Sequence, residues 1–136
     1  MLSYNQWDNV ADAYIPLLAL ITLLFLLKDL VKLNFQRPLK QLLWIFISGC
    51  FIYGVMALDN AIRIWPALGL DYSTHTALAL VFVIFFVLQK SIPAIVSVIS
   101  FILYGWLMVY LNHHSIADIL TTALVVTPVI FILQKR

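Results

Sequence analysis

The sequence predicts an all-α, polytopic membrane protein: one bundle of five transmembrane helices, with the N-terminus outside and the C-terminus inside. Three observations predict it. Of 136 residues, 64% are apolar and only 10% are charged, where a soluble domain carries about a quarter. The apolar residues gather into five runs close to the roughly 20 residues that a bilayer-spanning helix needs. Finally, of the 8 Lys and Arg residues, all but Arg63 fall in alternate gaps between those runs, whereas His75, His113 and His114 fall in the others. Cytoplasmic loops are enriched in Lys and Arg, so the histidine face is the outer one.

The first predicted span is 13–33, closed by Lys28, Asp29 and Lys32. Met1–Tyr14 holds Asp8 and Asp12 and no Lys or Arg, so it lacks the basic start of a cleaved signal. The two aspartates read as solvated. The second span, 39–58, follows Pro38, whose missing N–H costs little in a first turn. The third, 73–89, is short. The fourth, 93–111, opens on Pro93, and the fifth, 115–134, is closed by Lys135 and Arg136. The gaps Gln89–Ile92 and Asn112–His114 are too tight to hold a further domain, so residues 1–136 form one. Trp7, Tyr14, Trp65, Tyr72, Trp106 and Tyr110 fall near the outer interface, where amphipathic rings are favoured. Ser97, Ser100, Gly105, Thr121, Thr122 and Thr127 give the last two helices faces suited to close packing in lipid.

Several function classes are excluded. The net charge of +2 is small and segregated by side, and no basic patch is interleaved with exposed aromatics, so no nucleic-acid partner is expected. The single cysteine, Cys50, lies in an apolar run. It has no intramolecular disulfide partner and no metal-type spacing. The spans lack the midplane charges and broken helices of a transporter. A haem or metal site on His75 with His113 or His114 is a weaker reading, because haem ligands usually lie within the bundle. No metal and no cofactor are expected.

Polar chemistry collects at the outer ends in three clusters. Asp59-Asn60-Ala61-Ile62-Arg63 ends the second helix, with Arg63 one turn beyond Asp59. Asp71-Tyr72-Ser73-Thr74-His75-Thr76 opens the third, and Asn112-His113-His114-Ser115-Ile116-Ala117-Asp118 opens the fifth. Free N–H groups and the helix dipole at such starts favour anions such as phosphate. His114 and Asp118 share a helical face, so the carboxylate is expected to fix the imidazole tautomer. His75 reaches the same depth from another helix. Two imidazoles and a carboxylate at one level suit a nucleophile, its orienter and a general acid. The plainer reading makes Ser73 a helix cap and Ser115 with Asp118 a capping box, with His113 as an interface residue and Asp59–Arg63 as a surface ion pair. An ionisable residue such as Asp118 inside a span favours function.

These residues resemble the type-2 phosphatidic acid phosphatase superfamily, which includes lipid phosphate phosphatases and sphingomyelin synthases. Tyr72-Ser73-Thr74-His75 stands where the family has P-S-G-H at a helix start. His114 and Asp118, with Met108 before them, follow its S-R, five residues, H, three residues, D pattern. The resemblance runs from about Asp59 to the C-terminus. It departs at Met108 and Thr74, where the family has Arg and Gly, and in the first motif, whose Lys and Arg fall at Leu58 and Trp65. A phosphomonoester needs cationic compensation in transfer, and Arg63 alone is offered, so an ordinary phosphatidate phosphatase is disfavoured. The sphingomyelin-synthase-like branch also lacks S-R. Gly69, Asp71, Ser73, His75 and Thr76 echo its G-D-x-x-x-S-G-H-T motif at shorter spacing, and its phosphodiester carries one charge.

The resemblance implies a lipid-phosphate hydrolase or headgroup transferase working through a phosphohistidine on a membrane lipid substrate. His114 would be the nucleophile, Asp118 its orienter and His75 the general acid. Arg63, Ser73, Asp59 and Asp71 would hold the substrate. The alternative is a catalytically inactive relative that binds lipid or stabilises a partner membrane subunit. One of the family's six core helices is lacking, which a homo-oligomer would supply. The expected location is a bacterial inner membrane with the site facing the periplasm, or an organelle membrane with the site facing the lumen.

Overall fold

Six helices emerge in the computed structural model, which describes residues 1–32, 35–90 and 92–136. They are α1 (Tyr4–Val31), α2 (Gln36–Ile62), the single turn α3 (Ile64–Ala67), α4 (Thr74–Leu88), α5 (Ile92–Tyr110) and α6 (Ile116–Lys135). Among the described residues there is no strand. Helices α1, α2, α5 and α6 are long and apolar enough to cross a membrane, and α4 is a shorter apolar helix. The chain is therefore an all-helical, multi-pass membrane protein.

Polarity is distributed as lipid requires. Helix α5 turns Ile95, Ile99, Ile102 and Trp106 outward, and α2 exposes Leu39, Leu42, Leu43 and Phe46. Apolar surface on this scale would be unstable in water. Hydroxylated residues buried among the apolar ones satisfy themselves on the preceding turn. Thr22 Oγ1 donates to the Leu18 carbonyl and Ser48 Oγ to that of Trp44, both at 2.8 Å.

Helix α4 is the hub. It packs on α1, α2, α5 and α6, and Ala77, Ala79, Leu80, Val81, Val83, Ile84, Phe85 and Phe86 are all buried. A helix apolar on every side is one that is surrounded. Ala77 and Ala79 are fully covered, and their small side chains let the neighbouring backbones approach. Tyr72 Oη donates to the Ile52 carbonyl (3.2 Å) and Gln134 Nε2 to that of Val81 (2.9 Å), tying α2 and α6 to the hub.

Two helices run further than the sequence predicts. Helix α1 begins at Tyr4 rather than Ala13, because the Ser3 amide donates to Gln6 Oε1 at 2.8 Å and starts the helix early. Its 28 residues span about 42 Å at 1.5 Å per residue, more than the hydrocarbon core. Helix α2 continues past Leu58 to Ile62 and stops at Arg63, whose φ of 56° is left-handed. Asn112 ends the turn after α5 in the same way, with φ 58°. The predicted end of the first span at Leu33, and Ser91 in the Gln89–Ile92 turn, lie outside the described residues.

Candidate functional site

The site is assembled at the start of α6, where the segment ahead of α4 and the α5–α6 turn meet. Ser115 caps α6: its Oγ accepts from the Asp118 amide (3.1 Å), and Asp118 Oδ2 accepts from the Ser115 amide (2.8 Å). The other carboxylate oxygen, Oδ1, accepts from the Asp71 amide at 2.8 Å. One turn deeper, Thr122 Oγ1 accepts from the Ser73 amide at 3.1 Å. The segment ahead of α4 is thus stitched to the first two turns of α6. Ser73 in turn caps α4, with Oγ accepting from the Thr76 amide.

This stitching brings His75, in the first turn of α4, beside the α5–α6 turn that carries His113 and His114. All three imidazoles line one pocket of about 140 Å³, together with Asp12 and Ala11 from α1 and Tyr104 and Met108 from α5. The His114 side chain is only 11% exposed, and its Nδ1 lies 3.6 Å from Asp71 Oδ2, beyond hydrogen-bond reach. That nitrogen is buried and unpartnered. Burial holds the His114 imidazole below its ordinary pKa, outweighing the upward pull of the Asp71 and Asp118 carboxylates. His113 is engaged elsewhere: its Nε2 lies 2.7 Å from Asp8 Oδ1. With the Tyr4 hydroxyl donating to the Leu111 carbonyl at 2.8 Å, this pair clamps the start of α1 against the turn.

An apolar groove of about 700 Å³ adjoins the pocket between α1 and α5, lined by Trp7, Val10, Tyr14, Leu103, Tyr104 and Trp106 among others. Tyr104 borders both spaces. Its ring stacks on Tyr14 at 4.2 Å, and its buried hydroxyl has no hydrogen-bond partner.

The predicted site residues divide into two sets. His75 and His114 meet in one pocket, with Asp71 at its edge. Asp118 is adjacent, but both of its oxygens are occupied by backbone amides, so it is Asp71 that faces the His114 ring. The backbone amide of Ser73 is taken by Thr122, and Ser73 itself is fully buried. Asp59 is buried too, and its Oδ1 accepts from the Trp65 amide at 2.8 Å. The expected Asp59–Arg63 ion pair is not formed: among the described residues the only ion pairs are His113–Asp8 and His114–Asp71. Arg63 is exposed and does not line the pocket.

Asp8, Asp12, Tyr104 and Tyr14 were not foreseen as part of the site. The signal was the spacing of Asp8 and Asp12, four apart and hence on one face once α1 starts at Tyr4. Among the described residues, no three His, Cys, Asp or Glu side chains are grouped so as to hold a metal ion. The chain matches no family model, and no curated protein and no solved structure shows significant similarity to it.

Proposed function

We propose that this chain hydrolyses or transfers the phosphate headgroup of a membrane lipid at the histidine end of the bundle, through a phosphohistidine on His114. The observation that carries the reading is the pocket that His75 and His114 share, beside an apolar groove. Two imidazoles from separate helices can divide the roles of nucleophile and proton donor. A pocket of about 140 Å³ suits a headgroup phosphate, and the groove beyond Tyr104 suits an acyl chain.

In this mechanism the 3.6 Å gap between Nδ1 and Asp71 Oδ2 closes to a hydrogen bond, so that Nδ1 carries the proton and Nε2 keeps its lone pair. Nε2 attacks phosphorus. The bond from phosphorus to the leaving alcohol oxygen breaks, and that oxygen takes a proton from the His75 imidazolium. Water, or the hydroxyl of an acceptor lipid, then attacks phosphorus and passes its proton to neutral His75. The P–N bond breaks and its electron pair returns to His114. Because no Lys or Arg lines the pocket, positive charge comes from imidazolium alone. That favours a phosphodiester, with one negative charge, over a monoester.

In this reading α4 is a fifth crossing. Its 15 residues span about 22 Å, and local thinning of the bilayer accommodates the shortfall. The segregated cations put the N-terminus and the histidines outside the cytoplasm.

The test is turnover of a phosphodiester lipid and of phosphatidic acid by the protein in nanodiscs. His114→Ala is expected to lower the rate about a thousandfold with thermal unfolding unchanged. Wild-type turnover in that variant removes the mechanism. The same absence of pocket cations favours a second reading, a lipid-binding or partner-stabilising subunit without catalysis. That reading requires lipid to co-purify and no lipid phosphate to turn over.

A further inference from the structure

The opposite end of the bundle carries a second polar pocket that plays no part in the histidine chemistry. Its volume is about 430 Å³, and it is lined by Gln36, Arg37, Lys40, Gln41, Trp44, Gln134, Lys135 and Arg136. Two segments far apart in sequence build it, the first turns of α2 and the last turn of α6. Four of the chain's 8 Lys and Arg residues therefore converge on one concave site with no Asp or Glu side chain in its lining. None of the four is in an ion pair among the described residues. Like charges gathered without counter-charge repel one another, a cost that an anion in their midst relieves.

Orientation of the charged groups is partly fixed. The Arg136 guanidinium sits 5.9 Å over the Trp44 ring and the Lys135 ammonium 5.8 Å over Phe131. Cation–π contacts hold long side chains in place while leaving their donors free. The N-terminus of α2 points its amides toward the same end, adding to the positive potential. The pocket opens beside the exposed Leu39, Leu42 and Leu43, so a phosphate bound there lies where a lipid's chains can run down α2.

We propose that this basic pocket binds the phosphate of an anionic phospholipid, as a site separate from the histidine pocket. Arg37 and Arg136 present planar donor forks to the phosphate oxygens, and Lys40 and Lys135 supply point charges. Basic pockets between transmembrane helices are suited to such headgroups. The lipid would add to the Arg136–Trp44 contact in holding the first turns of α2 against the last turn of α6.

The test is thermal unfolding of the protein in mild detergent, titrated separately with phosphatidylglycerol, phosphatidylcholine and sodium phosphate. Phosphatidylglycerol is expected to raise the midpoint and phosphatidylcholine to leave it nearly unchanged. Arg37→Ala with Lys40→Ala should weaken the phosphatidylglycerol response about tenfold. Lys28→Ala with Lys32→Ala removes the same charge from the same end outside the pocket, and should weaken it less than about twofold. The charge-keeping pair Arg37→Lys with Lys40→Arg folds with its cations in place and should retain most of the response. Equal weakening by the two alanine pairs overturns the site in favour of general surface attraction. A response to inorganic phosphate equal to that of the lipid overturns the lipid assignment. Both outcomes are read without turnover, so they stand apart from the fate of the histidine mechanism.

Discussion

At the scale of single residues, the site separates groups that hold the fold from groups left free to act. Asp118 belongs to the first kind. It is 8% exposed, and its two oxygens accept from the Asp71 and Ser115 amides. Asp118→Ala would leave two amides without a charged acceptor, and should lower stability by about 2–4 kcal/mol in thermal or detergent unfolding. His114 belongs to the second kind, since its buried Nδ1 has no bond to lose, and His114→Ala should leave stability nearly intact. A stable Asp118→Ala variant would return that residue to the candidate catalytic set. Acidity provides a second check. The folded-state pKa of His114 is lowered from 6.5 by burial. As pH falls through 6.5, the unfolded chain takes up a proton before the folded one does, so this group's contribution lowers stability progressively until the folded pKa is passed. The neutral ring persists below pH 6.5 for the same reason, so under the proposed mechanism the acid limb of turnover should fall below that value. The same limb in His114→Ala, measured on any residual activity, should be absent.

At the scale of elements, α4 sets the arrangement. Its N-terminal cap is bound to Thr122 of α6, its first turn supplies His75, and its remaining length is enclosed by four helices. Any change that pushes neighbours away from α4 should therefore disturb both stability and the histidine spacing. Ala79 is fully buried, so Ala79→Leu overpacks the hub and should cost about 1–3 kcal/mol in unfolding measurements. Turnover or lipid retention should fall with it, because Ala79 lies one turn beyond His75 on the same helix and packs in one cluster with Ala11, Tyr104 and Met108 of the pocket wall. Unchanged unfolding in that variant would show that the hub has more room than its burial indicates. Helix α1 acts differently. Its early start at Tyr4 turns what would be a loose tail into one wall of the histidine pocket, held by the Asp8–His113 pair at 2.7 Å.

At the scale of the whole molecule, charge divides the bundle into two ends. Arg37, Lys40, Lys135 and Arg136 gather at one, and the three histidines at the other. If the bundle is threaded as its cations direct, single cysteines at Asn112 and Lys40 should react with an impermeant maleimide from opposite sides of sealed vesicles. The background should carry Cys50→Ser, because Cys50 is exposed on the bundle's flank. Asn112 labelled from outside and Lys40 only after permeabilisation is the expected result. The reverse pattern would invert the orientation and place the histidine chemistry in the cytoplasm.

That this is a membrane helical bundle, where four of its helices run and which side chains are polar at each end are all legible from the chain alone. Those properties follow from apolar run length and local charge, which a linear chain displays directly. His75 and His114 were also legible, because a histidine at a helix start stands out against apolar neighbours. What each polar group does depends instead on how the helices pack. Asp118 accepts from the distant Asp71 amide, Ser73 donates its own amide to Thr122, Asp59 holds the Trp65 turn rather than Arg63, and Asp71 becomes the carboxylate facing His114. Asp12 and Tyr104 join the pocket, and four cations from two segments far apart in sequence share another. Hydrogen bonds between residues tens of positions apart, such as Asp71 with Asp118, are set by how helices pack around α4, and no local pattern encodes them.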